Sequence, residues 1–437
     1  MGGNAFASGP DPLPTPRMPK DVYLLVKERC FSILREMYEV VDSPIEGPGK
    51  EDFGDLDILL FGPKPGLPQD NEAGVKQVAQ ALGAVRVIYI RDSSSNLAIP
   101  WPSDVDRPPA AKESAEGEEQ SESQIPAVAP HVQVDVRICD DLKKLQWQLF
   151  KHAHGDIWNI LGSTIRPFGL TADEGALWLR IPEIENLNRK RAKIFLTSDH
   201  EEVMDFIGLP TSGYWDGPFD TLNDLYEYAA QCRMFSVPPS VEGSDTSVTS
   251  SEGKASSESP PKRKLKANDR RRMNYRPIFR KWIEEFVPEC SKQGRFRELS
   301  LTREEVTQQA MDKFDVRKEF EQRRQEFLLE RDRDAIWKNV IKVQVPEADL
   351  SNTKSITYRG CLLKALKKII LEGEETCGVV PGNSMKDENG FFIPDAVKTF
   401  IRENKDAIGY KAYGMHHEAY LLSKEAKAKD TLQAGES

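Results

Sequence analysis

Two long polar stretches divide this chain and constrain its architecture more than any other feature. Residues 103–130 and 236–269 are poor in large apolar side chains and rich in Ser, Glu, Pro and Gly, so burial there cannot offset the entropy of ordering the backbone. Both are expected to be disordered, the first as an acidic insertion and the second as a linker. This leaves a domain over residues 1–235, a mainly helical module over 270–425 and a disordered tail at 426–437. The chain has 437 residues, 39% apolar and 30% charged, enough for two or three separate cores.

No run approaches the roughly 18 apolar residues of a membrane span. The opening Met1-Gly2-Gly3-Asn4 has neither the basic nor the apolar region of a secretory signal. The expectation is an intracellular protein, cytoplasmic or nuclear, with no membrane partner. Six cysteines lie at long, irregular intervals with no Cys-x-x-Cys unit, which reads as reduced thiols rather than a zinc site. His152 and His154, and the adjacent His416-His417, lack the i, i+4 spacing of a helical zinc motif; the first two read as an ordinary helix end.

A net charge of −10 argues against uniform adhesion to nucleic acid. The average hides a segregation, with residues 113–124 acidic and Lys262-Arg263-Lys264-Leu265-Lys266 and Arg270-Arg271-Arg272 basic. The basic run from Lys262 to Arg272 suits a nuclear-import signal, a nucleic-acid contact or a solvated linker end.

Apolar spacing predicts a helix over Val22–Val41, with Asp21 available as its N-cap. After the turn Glu46-Gly47-Pro48-Gly49, the segment Asp55–Phe61 reads as an interior strand stopping at Gly62-Pro63. Ala84–Ile90 reads as a second strand, Leu97–Trp101 as a short piece, and Val132–Cys139 as a third strand. Helices follow from Asp140, with Leu142, Leu145, Leu149 and Phe150 on one face, then at Glu201–Ile207 and at Thr221–Cys232, where Thr221 is the expected N-cap. The first domain is therefore α+β, a small mixed sheet with flanking helices. Beyond the linker, Thr302-Arg303-Glu304-Glu305 is a capping-box signature, and Tyr358–Leu371 and Pro394–Ile401 read as further helices.

Asp55 and Asp57 lie two apart in a strand, so both side chains are expected on one face. Strand carboxylates are commonly solvated, but here the apolar flank Ile58-Leu59-Leu60-Phe61 argues for a partner. A divalent cation relieves the repulsion, and hard oxygen ligands suit Mg2+ or Mn2+. Asp135, between Val134 and Val136, can complete the set from an adjacent strand. Three such carboxylates can hold two metals about 3.5 to 4 Å apart, one lowering the pKa of an attacking hydroxyl and one on a triphosphate leaving group. Arg137 is assigned to the face opposite Asp135 and given no catalytic role.

The string Gly54-Asp55-Leu56-Asp57-Ile58-Leu59 resembles the Gly-Asp-x-Asp signature of polymerase-beta-type nucleotidyltransferases, which is followed downstream by a single strand Asp. Gly2-Gly3-Asn4-Ala5-Phe6 with Thr15-Pro16-Arg17-Met18 is similar to the opening of the phage and fungal nucleotidyltransferase-like branch. His154-Gly155-Asp156-Ile157-Trp158-Asn159-Ile160-Leu161-Gly162 and Phe168-Gly169-Leu170 resemble its later segments. The likeness covers most of residues 1–235.

The resemblance implies a metal-dependent enzyme that moves a nucleoside monophosphate from a nucleoside triphosphate to a hydroxyl acceptor and releases pyrophosphate. Asp55, Asp57 and Asp135 would be its catalytic and metal-binding residues. In that superfamily a Gly-Ser pair precedes the acids and holds the phosphates, whereas this chain has Gly47-Pro48-Gly49-Lys50. Proline supplies neither an N–H nor a hydroxyl, so nucleotide binding is expected to rest on Gly47, Gly49 and Lys50, or on the terminal Gly2-Gly3. The alternative is a catalytically inactive scaffold of the same fold that binds nucleic acid or protein. Acceptor, base preference and oligomeric state are left open.

Overall fold

The computed structural model describes residues 3–106, 129–237, 267–298, 301–380 and 385–434. Most of the acidic insertion, most of the linker and Gly2 lie outside the described residues. Two compact units emerge, one of Met1–Glu185 with Arg189–Val316 and one of Asn186–Asn188 with Arg317–Ser437. The first unit thus continues past the 236–269 stretch to Val316, whereas the sequence reading ended its domain at 235.

The first unit opens with β1 (Met18–Pro19), α1 (Lys20–Arg35), β2 (Tyr38–Asp42), β3 (Asp52–Phe53), β4 (Leu56–Pro63) and α2 (Asn71–Ala81). Then come β5 (Arg86–Ile88), β6 (Ser95–Pro100), β7 (His131–Ile138) and α3 (Leu142–His152). The main sheet is mixed, five-stranded and ordered β2-β4-β7-β6-β5. It bears out the α+β expectation, with corrections. The helix expected over Val22–Val41 stops at Arg35, because Val40 and Val41 pair with Phe61 and Leu60 of β4, where β-branched side chains pack well. Asp21 is not the N-cap, which is Pro19, but stands in the first helical turn, where its charge favours the helix dipole. The strand expected over Ala84–Ile90 shrinks to Arg86–Ile88, while the short piece near Leu97 is a full strand paired along β7.

One face of the sheet carries Leu56, Ile58, Leu60, Val132, Val134 and Val136, packed on Val22, Val26 and Leu34 of α1 and Val78 of α2. On the other face, Leu59 and Cys139 pack on Leu145 of α3, with Phe61 and Leu149 alongside. Helix α3 thus covers the Phe61 end of that face. The end carrying the acids opens into a cavity.

Next in the unit are α4 (Ile157–Ile165), β8 (Leu170–Ala172), β9 (Leu177–Arg180), α5 (Pro182–Glu185), β10 (Lys193–Thr197), α6 (His200–Ile207) and α7 (Leu222–Ala230). Strands β8, β9 and β10 form a second, antiparallel sheet. Thr221 caps α7 in a full capping box with Asp224. Helices α8 (Ala267–Tyr275), α9 (Pro277–Lys281), α10 (Val287–Gln293) and α11 (Arg303–Lys313) complete the unit, α11 opening with the Thr302/Glu305 capping box. Helix α8 is tied down by Arg166, whose two terminal nitrogens each bond to Asp269 at 3.1 Å. The basic run is therefore split: Arg270–Arg272 lie in a docked helix, and Lys262–Lys266 are outside the described residues.

The second unit is helical: α12 (Arg317–Ile336), α13 (Lys342–Gln344), α14 (Thr353–Leu366) and α15 (Pro394–Ala434). Its core gathers Ile336, Ile341, Leu362, Leu366, Ile369, Val397 and Ile401. Helix continues to Ala434, where a disordered tail was expected from 426. Among the described residues, no helix is long and apolar enough to cross a membrane, and all six cysteines are free.

Candidate active site

Asp57 and Asp135 are directly paired across the parallel β4–β7 ladder. Asp55 stands just before β4 begins, two residues from Asp57 and so on the same side of the chain. Along β7 the same period places Gln133, Asp135 and Arg137 on one face, between the core residues Val132, Val134 and Val136. Arg137 therefore shares the face of Asp135, contrary to the sequence reading, and its Nη1 donates to Gln148 Oε1 at 3.0 Å.

Among the described residues, Asp55, Asp57 and Asp135 form no ion pair with Lys, Arg or His. Asp57 meets solvent at the cavity, yet the surrounding protein mass, then Asp55 and Asp135, push its pKa up to about 7. Asp135 is also raised, by desolvation and then by Asp55, against the pull of two donors. Those donors are Asn96 Nδ2 at 2.6 Å and Gln133 Nε2 at 2.9 Å, both on Oδ1. Asn96 is the antiparallel partner of Asp135 on β6. Gln133 Oε1 in turn accepts from the backbone N–H of Ala5 at 2.9 Å, tying the N-terminal segment to the site.

That segment is not a loose terminus. Gly3 is buried with φ +84°, and a Cβ there would run into the carbonyl of Gly54. Only glycine adopts this conformation cheaply and allows the close approach. Gly3 thus supports the backbone just before Asp55. Its predicted neighbour in phosphate binding, Gly2, is outside the described residues.

Asp55 and Asp57 line a cavity of about 270 Å3 with Arg17, Glu46, Lys50, Gly54, His152, Gly155 and Arg276. Gly47, Gly49 and Lys50 line an adjoining cavity of about 470 Å3, which shares Arg17, Glu46, Lys50, Gly155 and Arg276 with the first. The structure thus brings the expected phosphate loop beside the acids. The amide N–H groups of Gly47, Gly49 and Lys50 donate to no acceptor among the described residues. Lys50 is not free, however: its ammonium pairs with Glu46 Oε2 at 2.6 Å and lies over the Phe53 ring. Tyr23 donates to the other oxygen of Glu46 at 2.6 Å.

Sequence reasoning missed several of these groups. Glu46 had a signal, an acid four residues before Lys50 at the edge of the noted turn. Gln133 was legible from the period of two. Arg276 and Asn96 were not, because each reaches the site from a distant element. His152 lines the first cavity, with Nε2 3.1 Å from Glu174 Oε2. His154 is buried, and its backbone N–H donates to the carbonyl of Ile45 at 2.7 Å. The segment His154-Gly155-Asp156 therefore braces the loop. Ser43, at the start of that loop, is buried beside Tyr23 with no well-aligned hydrogen-bond partner for its hydroxyl.

The donor set suits a hard divalent cation: carboxylate oxygens, with mutual repulsion that positive charge would relieve. Among the described residues, no group of three or more acidic, His or Cys side chains is gathered as it would be around a metal ion. No protein-family model matches the sequence, and no curated protein matches it.

Proposed function

We propose that the first unit is a nucleotidyltransferase that moves a nucleoside monophosphate from a nucleoside triphosphate to a hydroxyl acceptor, releasing pyrophosphate. The observation that carries this reading is the pairing of Asp57 with Asp135, with Asp55 alongside, at a cavity that continues into one lined by Gly47–Lys50. Asp55, Asp57 and Asp135 would hold Mg2+ or Mn2+, which when bound supplies charge neutralisation at the phosphates and a lowered pKa for the acceptor hydroxyl. The loop amides of Gly47, Gly49 and Lys50 offer donors to phosphate oxygens. Arg17 and Arg276 line both cavities, each already paired with an acid, Arg17 with Asp52 at 2.7 Å and Arg276 with Asp156 at 3.3 Å. Each would have to turn from that acid to meet a phosphate. Asn96 and Gln133 orient Asp135 through the oxygen they share.

The second reading, a catalytically inactive scaffold that binds nucleic acid or protein, is favoured by two features of the loop. Pro48 supplies no N–H, and Lys50 is already paired with Glu46. The experiment that separates the readings is equilibrium binding of labelled ATP, GTP, CTP and UTP, with and without Mg2+ or Mn2+, to the intact chain and to Asp55→Ala/Asp57→Ala. Metal-dependent binding that the double substitution abolishes is the expected result. No binding to the folded wild type would leave the scaffold.

A further inference from the structure

A third cavity, of about 620 Å3, is lined by Asn159, Arg271, Arg272, Tyr275 and Arg276. It shares Tyr275 and Arg276 with the cavity of the Gly47–Lys50 loop. Arg276 lines all three spaces. The cavities therefore run in series from the carboxylates, past the loop, to the arginines.

The third cavity is built to attract anions. Helix α8 is anchored by Asp269, which pairs with both Arg166 and Arg272, and Arg272 Nε donates to Asn159 Oδ1 at 3.0 Å. Arg276 reaches the buried Asp156 through one nitrogen at 3.3 Å while 55% of its side chain stays exposed. Arg271 is exposed and pairs with no acid among the described residues. Four guanidiniums, Arg166, Arg271, Arg272 and Arg276, thus face two carboxylates, Asp156 and Asp269, leaving two positive charges. Burial lowers the pKa of Arg272, and Arg166 and Arg276 lower it further, as expected where like charges crowd. Tyr275, which lines the same cavity as Arg271, Arg272 and Arg276, is 60% exposed.

We infer that this cavity binds a single-stranded polynucleotide, with phosphates on Arg271 and Arg276 and a base stacked on Tyr275. Exposed guanidiniums and an exposed aromatic side chain in one cavity suit what a strand offers, phosphates and bases. An acidic peptide would use the charge but not the ring. The strand's role as the acceptor, its end reaching the carboxylates past Arg276, rests on the nucleotidyltransferase reading. The binding itself does not.

The test is fluorescence anisotropy of 5′-labelled 20-mers of uridine and of thymidine titrated with the intact chain at two salt concentrations. Wild type is expected to bind, more weakly at higher salt as phosphate contacts require. Arg271→Glu should weaken binding about tenfold or more, and Tyr275→Ala about fivefold or more. Tyr275→Phe should bind as wild type, and Lys354→Glu, an equal change of charge elsewhere, should have no effect. Asp55→Ala/Asp57→Ala should retain strand binding. A wild type that ignores both 20-mers, or an Arg271→Glu and Tyr275→Ala pair that binds them normally, overturns the inference. Strand binding without metal-dependent nucleotide binding would uphold the cleft and sink the proposed reaction. Nucleotide binding without strand binding would do the reverse, and loss of nucleotide binding in Arg271→Glu would then make the cavity a triphosphate subsite.

Discussion

Asp57 and Asp135 are Cα partners on adjacent parallel strands, so two carboxylates from segments far apart in the chain share one rung of the sheet. Asp55 adds a third charge two residues away. Such a set is unfavourable by itself, and the raised pKa values of Asp57 and Asp135 record the cost.

The first prediction concerns pH. The folded pKa of Asp57, about 7, lies above its ordinary value, so the folded state holds this proton more tightly than the unfolded chain. The stabilisation is complete below the unfolded pKa of about 4 and is lost as pH rises through the folded value. Asp57→Asn removes that dependence. Without divalent metal, its thermal midpoint relative to wild type should rise between about pH 4 and pH 8. Parallel profiles would show that Asp57 titrates normally.

Divalent metal should act in the opposite sense with pH, because a cation needs the ionised acids. Mg2+ at about 100 times its dissociation constant should stabilise the folded chain by about 2.7 kcal/mol. Scanning calorimetry should show a larger midpoint shift at pH 8 than at pH 5.5, and none in Asp55→Ala/Asp57→Ala. A shift that survives in the double variant would place the metal elsewhere.

Gly3→Ala places a Cβ against the Gly54 carbonyl at a φ of +84°. Backbone strain of this kind costs about 1–3 kcal/mol, and relief requires the backbone before Asp55 to move. Urea unfolding should show that loss, and metal-dependent nucleotide binding should weaken with it. Unchanged stability would mean that the N-terminal segment does not sit on Gly54.

Asn96→Ala removes one of two donors to Asp135 Oδ1. A hydrogen bond to a charged group is worth about 1.5–3 kcal/mol, so nucleotide affinity in the presence of Mg2+ should fall about tenfold or more. The fold should persist, because β6 keeps its backbone pairing with β7. Equal affinity in Asn96→Ala and wild type would leave Asp135 without a positioning role for Asn96.

Much of this arrangement was legible in residue order because it depends on short-range periodicity. The alternation around Ile58 and Val134 marks two strands with one buried face, and the same period sets Asp55 beside Asp57. Thr221 with Asp224 and Thr302 with Glu305 mark helix starts through local hydrogen bonds. The helix pattern from Val22 misled beyond Arg35, because Tyr38–Val41 fits a helix face as well as a strand until β4 offers its edge.

The sequence by itself determined which residues carry charge on an apolar strand and where α7 and α11 begin. Only the tertiary structure decided the partners. Parallel pairing brings Asp135 beside Asp57, the antiparallel register of β6 brings Asn96 to Asp135, and docking of α8 through Asp269 carries Arg271, Arg272 and Tyr275 to a cavity bordered by Arg276. These are contacts across tens to hundreds of residues. Strand register and burial select them, and neither is encoded in the spacing of neighbours along the chain.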